Sequence, residues 1–142
     1  MRDCSFNPAF DEHLLLRRLS ISDSMLTFIL KDLRQKVEGM QASAVVSKEG
    51  LIVASDLSEG ISEMHLAAMS AILLSTSENL LLELKKGSLD VCIVQGEDGG
   101  RFVIMDAGLD FILVAILDNF TRMDIAFTEM RNSARRISET EA

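Results

Sequence analysis

Apolar and polar positions along this chain recur with two different periods, and the switches between them mark out the elements. Met25, Leu26, Ile29, Leu30, Leu33 and Val37 return every three or four residues, with Lys31, Asp32, Arg34, Gln35 and Lys36 between them. That spacing predicts an amphipathic helix, capped by one of Ser22, Asp23 and Ser24 and closed by Gly39 as a left-handed stop. Residues 42–47 and 51–55 then read as two strands. They are joined by Lys48-Glu49-Gly50, a tight hairpin whose glycine supplies the positive φ.

A long second helix is predicted from Ile61 to about Lys85, and its first half is apolar on nearly every side. Turning about 100° per residue separates two apolar faces. One carries Leu66, Met69, Leu73, Leu80 and Leu84. The other carries Met64, Ala68, Ala71, Ser75 and Leu82, whose small members let another backbone come close. Polar strips run between them, with Glu63, Ser70 and Ser77 on one side and His65, Thr76 and Glu83 on the other. One apolar face suits the protein's own sheet; the second calls for another cover, and a partner helix is the simplest.

Three strands follow, over residues 89–95, 101–107 and 110–117, joined by Gly96-Glu97-Asp98-Gly99-Gly100 and by Gly108-Leu109. Phe111 to Leu117 shows no polar alternation, so that strand is expected in mid-sheet with helices on both faces. A last helix, capped by Asp118 or Asn119, carries the stripe Met123, Phe127, Met130, Ala134 and Ile137. The order α-β-β-α-β-β-β-α predicts an α/β three-layer sandwich around a mainly antiparallel five-stranded sheet. Residues 22–138 form this domain, and residues 139–142 a tail expected to fray. Residues 1–21 read as an N-terminal extension, with a turn at Asn7-Pro8 and a short helix from Phe10 to Leu19. Its leucines suit docking on the domain or a partner as well as a mobile arm.

The chain has 142 residues, enough for one domain with a real core. Twenty-two acidic against 14 basic residues give a net charge of −8, which argues against nucleic-acid binding. No apolar run approaches the ~18–20 residues of a membrane span, and Met1-Arg2-Asp3-Cys4 lacks the apolar stretch of a signal peptide. No direct membrane insertion and a cytoplasmic location are therefore expected.

Candidate chemistry is sparse. The glycine-rich loop at 96–100 lacks a P-loop lysine, joins strands instead of opening a helix, and carries two carboxylates that would repel phosphate. Asp106 and Asp110 flank a turn, where aspartate serves the backbone. His65 stands apart from any serine on a strand-to-helix elbow. Cys4, in a polar tail, and Cys92, in an apolar run, pair with neither His13 nor His65, so no metal site is predicted. No catalytic residue and no cofactor are expected, and the chain does not read as an enzyme. A small-ligand sensor on the same architecture would require a selective cavity, and the dense apolar strands without Trp or Tyr disfavour one.

The ordered combination resembles the roadblock, or dynein-light-chain-related, family, including its MglB-like members. Gly39 through Ser55 looks like the family's first hairpin, Ala67 through Leu84 is similar to its alanine- and serine-rich second helix, and Val91 to Leu117 completes the match. The likeness spans about residues 24 to 137. It implies pairing into homodimers or heterodimers, with sheets joined edge to edge and second helices side by side. Met64, Ala68, Ala71, Ser75 and Leu82, with Leu89, Asp90, Val91, Cys92 and Ile93 on the paired strand, would then form the dimer interface. The resemblance also implies a non-catalytic platform for a Ras-like small GTPase. MglB-like members stimulate hydrolysis by repositioning the GTPase's own switch elements. Glu63, His65, Ser70, Thr76, Ser77 and Glu83 are the expected GTPase contacts. The alternative is a scaffold subunit of a multiprotein complex without effect on nucleotide turnover.

Overall fold

The computed structural model describes residues 12–141, with side-chain surroundings given for residues 23–141. Three helices and five strands follow the expected order: α1 (Glu12–Lys36), β1 (Met40–Ser47), β2 (Ile52–Asp56), α2 (Glu63–Glu83), β3 (Val91–Gln95), β4 (Arg101–Asp106), β5 (Phe111–Leu117) and α3 (Met123–Glu139). The five strands form one sheet in the order β2-β1-β5-β4-β3, with every pairing antiparallel.

α1 does not begin at Ser22–Ser24. It runs unbroken through them from Glu12, so the division between residues 21 and 22 falls inside one helix. No glycine or proline separates Glu12 from Lys36, and an interior Ser or Asp costs a helix only about 0.5 kcal/mol. Cys4 and the Asn7-Pro8 turn lie outside the described residues, as do the side chains of Leu14 to Leu19. At the other end Gly39 takes φ +89°, as a left-handed stop requires, and the Met40 N–H donates to the Val37 carbonyl.

Strand alternation divides the interior into two layers. Leu113, Ala115 and Leu117 of β5, with Val45, Val103 and Met105, pack beneath Leu26, Ile29, Leu30 and Leu33 of α1 and Met130, Ala134 and Ile137 of α3. Ile112 and Val114 of β5, with Ala44, Val46 and Ile104, face Leu66, Ala67 and Leu74 of α2. β5 is thus buried on both faces, as its unbroken apolar run requires. Asp32 holds α1 to α3 through Arg136 at 3.0 Å, with Lys36 also at 3.0 Å, and both cations hold its carboxyl below the usual range.

α3 starts one turn later than the sequence suggests. Asp118 closes a turn instead of capping, its carbonyl accepting from the Thr121 N–H and its carboxylate from Gln41 Nε2 at 2.9 Å. The C-terminal end is pinned where fraying was expected, because the Glu141 carboxylate accepts from the Asp110 N–H at 3.0 Å.

Candidate interaction surface

Among the described residues, α2 lies alone on its side of the sheet. Ser62 caps it, its hydroxyl accepting from the His65 N–H at 3.3 Å. The β1–β2 hairpin comes up against the helix at Gly50, which has φ +99°. A Cβ there would lie 3.4 Å from Ala71 Cβ and 3.8 Å from Ala68 Cα. The alanines on this flank therefore already accommodate the protein's own hairpin, and Ala71 is half-buried.

The rotation of α2 about its axis corrects part of the sequence reading. Leu66, Ala67, Ser70 and Leu74 are the buried residues. The strip Glu63, Ser70, Ser77 differs along its length: Glu63 is exposed, Ser77 half-buried and Ser70 buried. Ser70 is fully buried and donates to the Leu66 carbonyl at 2.6 Å, which removes it as a partner contact. Ser77 donates to Cys92 Sγ at 3.6 Å, and Glu63 accepts from Ser55 Oγ at 3.0 Å. Of the residues assigned to the sheet-facing stripe, Met69, Leu80 and Leu84 are exposed, while Leu66 is buried and Leu73 half-buried.

Among the described residues, nothing covers the opposite side. Met64, Ala68, Ser75 and Leu82 are exposed on it, and Ile72, absent from the sequence-based face, stands among them. Ile72 is one helical turn from Ala68, a signal the two-face division passed over. His65, Thr76 and Glu83 lie exposed along one border.

β3 meets the other flank of α2: Ser77 in the later half of the helix donates to Cys92, and the exposed Leu80 and Leu84, three and seven residues further on, share that flank. β3 is an edge strand, and Ile93 and Val94 are exposed on it. Val91 and Cys92 are half-buried. Leu89, expected on the paired strand, instead lies before β3 and is buried in the α2-side core, so it offers nothing to a partner. Asp90 is held bidentately by Arg131 of α3 at 2.8 and 2.7 Å, and that guanidinium keeps its carboxyl below the usual carboxylate range. Among the described residues, no three His, Cys, Asp or Glu side chains converge as a metal ion would need. None of the described helices is long and apolar enough to cross a membrane.

The Roadblock/LC7 domain model matches residues 29–117. The chain belongs to the Roadblock/LC7 domain family. It is 30% identical over 113 residues to the uncharacterized protein MJ1340 of Methanocaldococcus jannaschii, covering 80% of this chain and 96% of that one. Among solved structures, the gliding protein MglB of Thermus thermophilus superposes with a TM-score of 0.73 at 17% identity, over 85% of this chain and 93% of that one. MglB in a tetrameric arrangement gives 0.75 at 15% identity, over 84% and 89%. Identities this low speak to the fold alone. The surfaces described above are the outer face of α2 and the edge strand β3.

Proposed function

We propose that this chain pairs with a second copy, or with another roadblock protein, through the outer face of α2 and the edge of β3, and that the pair binds and regulates a Ras-like small GTPase. The observation that carries the pairing is the apolar exposure on α2, where Met64, Ile72 and Leu82 keep 74%, 65% and 75% of their surface in solvent and Leu80 and Leu84, on the flank that meets β3, keep 55% and 56%. Covering such side chains is worth roughly 1.5–3 kcal/mol each, and a matching helix does so without leaving backbone groups unpaired. The GTPase reading rests on the resemblance to MglB-like proteins and on the border His65, Thr76, Glu83, which stays polar beside the apolar face.

The test is the rate of GTP hydrolysis by a Ras-like GTPase of the same organism, with and without this protein in excess. Acceleration is expected, reduced by Glu83→Lys without loss of pairing. Co-elution with an unchanged rate would make the pair a scaffold instead. Neither binding nor acceleration by any such GTPase would refute the regulatory reading.

A further inference from the structure

Resting on the pairing reading above, we infer that two copies of β3 join antiparallel with Ile93 on the two-fold axis, facing its own copy. The hydrogen-bond parity of the strand leads there. β3 and β4 pair with Cys92 opposite Ile104 and Val94 opposite Phe102. Beyond the two ends of that ladder, the Asp106 N–H donates to the Asp90 carbonyl and the Gly96 N–H to the Gly100 carbonyl. In an antiparallel pair, bonded positions alternate with unbonded ones. The bonded positions are therefore the even residues 90, 92, 94 and 96, and Val91, Ile93 and Gln95 aim their N–H and C=O groups away from β4.

On the far side of β4 the parity agrees. The Ala107 N–H donates to the Phe111 carbonyl, so the odd residues of β4 serve β5 and the even ones are left for β3.

The outward row ends at these three residues. Before it, Leu89 packs in the α2-side core as Cys92 does, and three residues of separation break the two-residue alternation, so the extended run stops short of it. After it, the Gly99 N–H donates to the Gly96 carbonyl and turns the chain. A strand meeting its own copy about a two-fold axis can centre on Cys92, Ile93 or Val94. Centred on Ile93, Val91 lies opposite the partner's Gln95 and all three outward residues are bonded, six bonds in all by the antiparallel pattern. A shift to either neighbour leaves one of the three facing a turn or a buried residue.

Side chains favour the same occupant. Val91 to Gln95 holds no charge, proline or bulge, the devices that keep sheet edges apart, so a chain of net charge −8 meets itself here without repulsion. On the α2 side of the joined sheet, Cys92 faces the partner's Val94. The two Cys92 residues are then diagonal neighbours about 7–8 Å apart, too far for a disulfide. The two Ile93 residues form a bonded pair with Cα atoms about 5.5 Å apart, within disulfide range.

The experiment is oxidative crosslinking of the full chain with Cys4→Ser throughout. One variant keeps Cys92; the other carries Cys92→Ser and Ile93→Cys. Sedimentation of the unoxidised proteins first establishes that they pair. The expected result is a covalent dimer from Ile93→Cys at more than about tenfold the yield from Cys92. Crosslinking through Cys92 instead, or through neither in a protein that sediments as a dimer, would overturn the register while leaving the pairing intact. A monomeric wild-type chain would overturn both. Amide exchange of the unmodified protein gives an independent reading. Slowing of Val91, Ile93 and Gln95 by about a hundredfold on dimerisation, with Cys92 and Val94 protected in either state, supports the register. Outward amides that exchange freely in the dimer would refute it.

Discussion

Gly39 does two things at one position. It ends α1 with φ +89°, and it leaves room for Thr121 and Phe120, since a Cβ there would run into the Thr121 hydroxyl and lie 3.1 Å from the Phe120 ring. Gly60 has nearly the same φ, +88°, but nothing within 4 Å of where its Cβ would be. The two glycines therefore separate backbone cost from contact cost. Gly60→Ala should lose only the left-handed penalty of about 1–2 kcal/mol, and Gly39→Ala about 1 kcal/mol or more beyond it. Urea unfolding of both variants with an unchanged m-value checks this, and equal losses would show that Thr121 and Phe120 yield freely. The role of Gly39 was legible in the sequence, because a glycine after a periodic run has few other uses. Ser22 to Ser24 misled for the complementary reason: serine and aspartate cap helices well but also sit inside them at small cost.

α2 shows where periodicity stops informing. A helix declares its buried side by contrast between apolar and polar stripes, and α3, with its clean stripe, was legible in that way. In α2 the contrast is nearly absent, so its existence was plain and its rotation was not. Ser70 settles the rotation in the structure, because a serine can be fully buried when it returns its proton to the carbonyl four residues back. The outward side that results yields a prediction. Ile72→Asp should weaken pairing at least about thirtyfold by sedimentation, since a two-fold contact receives the charge from both copies. Each chain should stay folded to within about 0.5 kcal/mol, the usual reach of an exposed substitution. Unchanged association would move the contact off α2. β3 was likewise legible as a strand, but its place at the sheet edge came only from the resemblance, and the structure sets it there because β5 lies between β1 and β4.

On the scale of the molecule, among the described residues, two helices guard one side of the sheet and one guards the other, leaving exposed apolar side chains on α2 and an unpaired edge at β3. Pairing would hide both at once, and stability would then depend on how often chains meet. The thermal midpoint should rise by several degrees as protein concentration is raised about a hundredfold, because mass action favours the folded pair. A midpoint independent of concentration, in a protein that sediments as a monomer, would count against pairing. The layers and the mid-sheet place of β5 followed from local signals, whereas the order of the other strands and the rotation of α2 did not, since both depend on contacts between segments far apart in the chain.

The middle position of β5 has a consequence for synthesis. Both hairpins, β1–β2 and β3–β4, are fastened to this strand, and it is the last of the five to be made. Until Leu117 has left the ribosome, the two hairpins are separate ribbons with nothing between them. The growing chain must carry α1, α2 and four strands through that interval with their apolar sides unsettled, the state in which chaperones find nascent proteins. Closure then joins Ser43 to Ala115 and Val45 to Leu113 across roughly seventy residues, a distant pairing of the kind that sets slow folding. The sheet is thus finished from its centre, at the end.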